Sequence, residues 1–243
     1  FKEKAEDDFK VKSVVSPEME VILRRCANVY AGAPPWLSAE DDIRTINFAK
    51  AVSSETARLA TLAIGIKIEG SARAEWLQQQ IDAVYFHLRE WVEFSCAYGT
   101  VFLKPNGDSL DLFTPKDILL VDYDNMGVKG IIFKDSYTDQ DRFYTRLEYH
   151  RFVETAENGA TTYPYYISNR TYVSKSADSI GDKIPMAKTK WAGMMEDTPP
   201  ILKANGEKLD GPMFGMLRTP HANNIDIDSP LGLPMYSEAI EEL

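Results

Sequence analysis

Up to Gly99 the apolar residues of this chain recur mainly at three- and four-residue intervals, and from Thr100 they fall in short runs separated by turn residues. That change of period separates helix from strand. Ser16-Pro17-Glu18 supplies a capping residue, a first-turn proline and an acid for the helix dipole, ahead of Met19, Ile22, Leu23 and Cys26 on one face. This predicts a helix to about Tyr30, before Gly32 and Pro34-Pro35. Ser38 is placed to cap a second, longer helix through Glu40-Asp41-Asp42 that carries Ile43, Ile46, Phe48, Val52, Leu59 and Leu62 as far as Gly65, with a break expected near Ser53-Ser54. A short strand is expected over Ile66 to Glu69. Ser71 then caps a third helix with Leu77, Ile81, Val84 and Leu88 along one stripe, and a fourth runs from Trp91 to Gly99.

In the second regime, Thr100 to Lys104 and Leu110 to Thr114 flank Pro105-Asn106-Gly107-Asp108, and Asn-Gly between apolar runs signals a hairpin. Ile118 to Asp122 and Lys129 to Phe133 bracket a turn at Asp124-Asn125-Met126-Gly127; Phe143 to Val153 and Thr162 to Val173 bracket another at Glu157-Asn158-Gly159. Residues 175–212 read as loop, Phe214 to Leu217 as a last strand, and Pro234 as the start of a final helix. Helices first and strands after predict an α+β fold, N-terminal helices followed by an antiparallel β-meander. The expected segments are 1–99, helical; 100–233, mainly β; and 234–243, the beginning of a helix. Tyr236, Ala239, Ile240 and Leu243 fall at helical spacing with no stop signal after them. With Phe rather than Met at position 1, this suggests a longer protein whose last helix continues.

Composition narrows the function classes. A formal net charge of −10 argues against tight, sequence-independent nucleic-acid binding, which draws on Lys and Arg to neutralise phosphates. Cys26 and Cys96 are the only cysteines and have no C-x-x-C spacing, so neither a disulfide framework nor a zinc site is expected. No apolar run approaches the roughly 20 residues of a membrane span. Phosphate-binding glycine motifs, G-x-S-x-G and H-E-x-x-H are all missing from the sequence.

What chemistry remains is thin. His150 alternates with Glu148 on one strand face, which suits a general base or metal ligand but more simply a polar strand position. Asn224, Asp226 and Asp228 alternate as the first ligands of a calcium loop do, but Ser229 stands where that loop needs glycine and Met235 where it needs glutamate. Asp122 with Asp124, and Asp139 with Asp141, could hold a divalent ion; both pairs border turns, where Asp serves the backbone. Asn169-Arg170-Thr171 spells a glycosylation sequon with no sign of a secretory route. Tyr144, Tyr149, Tyr163, Tyr165, Tyr166 and Tyr172 could stack bases, but without a basic groove they suit a sheet and protein contacts better. No catalytic, cofactor-binding or metal residue is therefore assigned.

Several stretches resemble the front part of tailed-bacteriophage portal proteins, in the group from siphophages and prophages of Gram-positive hosts. The likeness lies in Tyr30-Ala31-Gly32, Pro35-Trp36, Ile46-Asn47-Phe48-Ala49-Lys50 through Glu55-Thr56-Ala57-Arg58-Leu59, Val101-Phe102-Leu103-Lys104-Pro105, Tyr144 to His150 and Tyr166 to Tyr172. It is strongest in Pro220-His221-Ala222-Asn223-Asn224 and Asp228-Ser229-Pro230-Leu231-Gly232. The chain departs from the family at Tyr98-Gly99-Thr100, where a double glycine is common, and at Leu233-Pro234, where a serine is.

The resemblance implies most of a portal wing, with stem, clip and crown elsewhere. It implies a ring of identical subunits, usually twelve, at one capsid vertex of the virion, assembled in the bacterial cytoplasm. It also implies partners: major capsid protein and scaffold, large terminase, neck and head-completion proteins, and double-stranded DNA that passes without sequence-specific binding. No catalytic residue or cofactor is implied, since ATP hydrolysis belongs to the terminase. Two other readings stay open: a metal-dependent nuclease or hydrolase using Asp122, Asp124 or His150, and a stand-alone protein-binding adaptor.

Overall fold

The computed structural model describes residues 1–37, 45–107, 109–157 and 160–241. Helices α1 (Lys2–Phe9), α2 (Pro17–Tyr30), α3 (Phe48–Thr61), α4 (Ala74–Val84) and α5 (Leu88–Tyr98) come first. Strands β1 (Thr100–Asn106), β2 (Ser109–Phe113), β3 (Ile118–Asp124), β4 (Gly127–Asp139) and β5 (Arg142–Phe152) follow. Then come β6 (Thr155–Glu157), β7 (Ala160–Thr162), β8 (Tyr165–Ser174), β9 (Asp182–Ile184), β10 (Gly215–Arg218) and α6 (Ser237–Glu241). The fold is α+β, and its strands pair antiparallel in the orders β10-β1-β2, β3-β4-β5-β8-β9 and β6-β7.

Two compact units form, one from Phe1–Val15 and Lys116–Met213, the other from Ser16–Pro115 and Phe214–Leu243. They cut across the segments 1–99, 100–233 and 234–243: α1 packs with the five-stranded sheet, while β1, β2 and β10 pack with helices. Periodicity reports which element forms, not which elements it packs with.

In the sheet unit, β5 alternates Arg146, Glu148 and His150 on one face with Leu147 and Tyr149 on the other. The second face builds a core of Leu119, Ile132, Leu147, Tyr149 and Tyr172, closed by Ala5, Phe1, Phe9 and Val11. The charged opening of the sequence hides a helix: Phe1, Ala5 and Phe9 recur every four residues, so α1 lays one apolar edge on the sheet. The ring of Phe9 meets Tyr149 edge-on at 5.3 Å. Beyond β8, the stretch expected to be loop supplies β9, and Asp197 and Ile201 bridge to Ser168 and Tyr165 along the rest of that edge. An edge covered in this way does not recruit other chains.

In the helical unit, Ser16 caps α2 as its sequence implies, accepting from the Met19 N–H at 3.3 Å. The cap expected at Ser38 lies outside the described residues, as do Glu40 to Ile43. The described residues 45–47 are not helical, and α3 starts at Phe48, capped by Asn47, whose side chain accepts from Lys50 N–H and donates to the Tyr30 carbonyl at 2.9 Å. No break occurs at Ser53-Ser54. Instead Ala49, Ser53 and Ala57 form a small-residue ridge that α3 buries, and Phe48, Leu59 and Leu62 point out. Small side chains let helix backbones approach closely, so the ridge, not the large apolar stripe, makes the contact.

The expected strand over Ile66 to Glu69 is extended but pairs with no other strand among the described residues. Ser71 does not cap α4: its hydroxyl accepts from Arg73 N–H at 3.3 Å, and Arg73 occupies the cap position without a side-chain bond. The stripe of Leu77, Ile81, Val84 and Leu88 is cut by a tight 3-10 turn at Tyr85–His87, which starts α5 on a new course.

The last helix begins at Ser237 rather than Pro234. Before it, Leu231–Tyr236 is strapped to the end of α5: Met235 N–H donates to the Cys96 carbonyl at 3.0 Å and the Tyr236 hydroxyl to that of Ala97 at 2.8 Å. Tyr236 and Ile240 then join Cys26, Tyr30, Ala49, Ala97 and Tyr98 in one core, which packs these two residues of the stripe on α2 and α5. Where the strap crosses the α5–β1 junction, two backbones nearly touch. Gly99 has φ +77°, and a Cβ there would lie 2.1 Å from the Gly232 carbonyl oxygen. Thr219 seals the crossing, its N–H donating to the Gly99 carbonyl and its hydroxyl to that of Leu233 at 2.9 Å, while Gly232 N–H donates to the Thr100 hydroxyl at 2.7 Å.

Candidate functional site

The strand face opposite α1 carries the most polar cluster of the sheet unit. His150 Nε2 lies 2.9 Å from Glu148 Oε1 and Nδ1 lies 2.7 Å from the Tyr165 hydroxyl, which also accepts from Met213 N–H at 3.2 Å. With that acceptance filled, the phenol offers its proton to Nδ1 and the imidazole donates from Nε2, so every polar atom of the pair is used. Burial pushes the Tyr165 phenol well above its ordinary range, which keeps that proton in place. Arg146 completes the row, 2.7 Å from the second oxygen of Glu148 and 3.4 Å from Asp135, which also accepts from the indole N–H of Trp191 at 3.2 Å.

This row has the residue types of a catalytic constellation, but it is buried. His150 is 2% exposed, and Arg146, Glu148 and Tyr165 are buried with it. Its arrangement fixes the register of β4, β5 and β8, since Asp135 pairs with Arg146 across one ladder and Glu148 with Asn169 across the other. Arg146, Asp135 and Trp191 were missed in the sequence. The alternation Arg146, Glu148, His150 was a readable signal, because opposite charges two apart on a strand face each other's neighbours.

The other candidates scatter. Asp122 sits beside Tyr149 on the face of β5 opposite to His150, next to a bulge in β3. Asp124 shapes the β3–β4 turn by accepting from Met126 N–H at 2.8 Å and pairs with Lys129 at 3.5 Å. Asp139 and Asp141 lie exposed around the β4–β5 turn at Gln140. In the calcium-like run the organising residue is the buried Asn223, which was not among the candidates: its Oδ1 accepts from Ile225 and Asp226 N–H groups, and its Nδ2 donates to the Leu231 carbonyl at 2.9 Å. Asn224 and Asp228 are exposed. Among the described residues no three His, Cys, Asp or Glu side chains gather as a metal site.

Asn169 of the sequon is buried in β8 and donates to the Met195 carbonyl at 2.8 Å, so a glycan has no room there. The tyrosines do not form a platform: Tyr165 and Tyr172 are core, Tyr149 packs on Phe9, Tyr144 stacks on Tyr137 at 4.8 Å, and Tyr163 is exposed on the β7–β8 connection.

What does stand open is apolar. Ile46, Phe48, Leu59, Leu62, Ile64 and Ile66 are exposed along α3 and the segment after it, and α4, with Trp76 and Leu77 exposed, buries no residue at all. Phe86 in the turn after α4 is 74% exposed. Single exposed hydrophobes are ordinary; here branched and aromatic side chains are exposed on two helices. No helix of the described residues is long and apolar enough to cross a membrane. No protein-family model matches the chain, and no curated protein matches it.

Proposed function

We propose that the chain is a subunit of a self-assembling structure, and, from the resemblance of its sequence, that the structure is the portal ring of a tailed phage. The observation that carries the first step is the apolar surface of α3 and α4, which stays in water until another chain covers it. The portal step rests on the sequence stretches that resemble that family; one of them, Asp228 to Gly232, supplies Gly232 to the crossing with Gly99, and another, Pro220 to Asn224, supplies the Asn223 that bonds to Leu231 beside it. In this reading the ring sits at one vertex of the virion and passes double-stranded DNA, and the net charge of −10 suits a body that does not grip it. Capsid protein, scaffold, terminase and neck proteins are its partners, and ATP hydrolysis lies with the terminase.

The test is the mass of the purified protein over a range of concentrations, with electron microscopy of the largest species. Rings of about twelve copies with rotational symmetry are expected. A monomer that persists at high concentration overturns the reading.

A further inference from the structure

Residues 64–70 read Ile-Gly-Ile-Lys-Ile-Glu-Gly, the alternation of a strand, and they run extended without a sheet. Side chains that follow at i, i+4 and i+7 from Gln78 hold them by the backbone. The Tyr85 hydroxyl donates to the Ile64 carbonyl. The Gln78 amide donates to the Ile66 carbonyl at 3.0 Å and accepts from Ile68 N–H at 2.8 Å, bonding residues two apart as one residue of a parallel neighbour does. Asp82 accepts from the same amide nitrogen at 2.8 Å and fixes its orientation.

The even-numbered residues are thus engaged, and the pleat turns the N–H and C=O groups of Lys67 and Glu69 to the opposite edge. Those groups have no backbone partner among the described residues, and the two side chains, which form an ion pair with each other within the chain, are 80% and 69% exposed and open to a second pair of charges.

We propose that this edge pairs antiparallel with the same segment of a second copy of the chain, about a two-fold axis at Ile68. That register sets Lys67 opposite Glu69 of the second copy, and Glu69 opposite its Lys67, as the pairs that exchange both backbone bonds. Ile68 faces its counterpart in a non-hydrogen-bonded pair. Two-fold registers centred on Lys67 or Glu69 also use the free edge but bring like charges face to face, which destabilises a ladder. A lone lysine blunts a strand edge; here lysine and glutamate alternate so that two edges attract.

A two-fold contact does not close a ring, so this pairing is separate from the ring of the proposed function and stands or falls without it.

Sedimentation equilibrium on the wild-type chain, on Lys67→Glu and on Lys67→Glu with Glu69→Lys reads the pairing directly. Both changes lie on exposed side chains. The single variant is expected to raise the dimer dissociation constant about tenfold or more, and the charge swap to restore it. Ile68→Cys treated with oxidised glutathione is expected to form a symmetric disulfide dimer, since a non-hydrogen-bonded pair has Cα atoms about 4.5 Å apart. Lys67→Cys, diagonal to its counterpart, is expected to form far less. Unchanged association in Lys67→Glu overturns the proposal, as does association lost there and not regained in the swap, or cross-linking of Ile68→Cys no faster than that of Lys67→Cys. Rings that form equally well in all variants leave the portal reading intact and bear only on ring closure.

Discussion

The sheet unit takes Arg146, Glu148 and His150 out of water and gives each a partner, whereas the helical unit leaves Phe48, Trp76 and Phe86 largely in water. Both depart from the simple rule of apolar inside and polar outside, in opposite directions. A buried ion pair contributes little net stability but is punishing to break, so the first departure specifies one strand register. An exposed apolar run contributes nothing to the stability of the free chain, so in the proposed reading the second takes its meaning from a chain that covers it. The sheet unit is finished by its own residues. In the reading proposed above, the helical unit is finished by another chain.

The sharpest way to break that comparison is at the one point where the helical unit is as tightly determined as the sheet. Gly99→Ala forces a Cβ against the Gly232 carbonyl and asks a side chain to accept φ +77°. Because the obstructing atoms are backbone, no rotamer relieves it, and a loss of about 4 kcal/mol or more is expected. Hydrogen exchange should show lost protection over α5, β1 and the strap at Leu231–Tyr236. An unaffected variant would mean that the crossing is looser than described and that the helical unit lacks a fixed core.

Next in size is Glu148→Gln, which keeps the shape of the side chain and removes its charge. Arg146 then keeps only Asp135, at 3.4 Å, as a carboxylate partner in a buried position. About 3 kcal/mol is the expected loss, read as a lower urea midpoint for the sheet unit. A neutral outcome would reduce the row to ordinary strand polarity.

Smaller still is the effect of Asp8, which tethers α1 to the sheet. Burial pushes its carboxyl up, but the Tyr172 hydroxyl bond and the Lys183 ammonium outweigh that and hold it below the usual aspartate range. An acid depressed in the folded state contributes stability above its unfolded value, near 4, and that contribution disappears as pH falls through the folded value. Acid is therefore expected to loosen α1 below about pH 4. Asp8→Asn should cost about 1 kcal/mol at neutral pH and flatten the acid limb, as followed by exchange of the α1 amides.

The sequence made the strand half easier to read than the helical half, for physical reasons. Turn chemistry at Asn106-Gly107 and Asp124 to Gly127 is local, and the hairpins formed where it placed them. The order β3-β4-β5-β8 follows from successive antiparallel neighbours; β9, the small β6–β7 hairpin and the edge bridges of Asp197 and Ile201 were hidden, because three-residue strands and single bridges have too little period to read. In the helices the apolar stripe of α3 was real but pointed outward, since Ala49, Ser53 and Ala57 make the contact and small residues carry no signal on a hydropathy scale. Of the candidate residues, His150 and Glu148 were legible as a pair, but their burial was not. Asn223 stayed hidden because its work is backbone bonding across eight residues.

The smallest expected effect on stability is also the most telling. Trp76→Ser with Phe86→Ser changes side chains that are 58% and 74% exposed in the folded chain, so the unfolding free energy should move by no more than about 0.5 kcal/mol. Association is another matter. An aromatic side chain that becomes covered contributes roughly 1.5–3 kcal/mol, and losing even part of two such terms raises the concentration needed for assembly about tenfold or more. Met126→Ser is the matched control: Met126 is 82% exposed at the tip of the β3–β4 hairpin, an isolated hydrophobe on the unit that completes itself. It should leave both stability and assembly unchanged. If Met126→Ser impairs assembly as much as the aromatic pair does, or the aromatic pair has no effect on it, the contrast between a finished unit and an unfinished one is gone, and the surface of α3 and α4 is simply tolerated exposure.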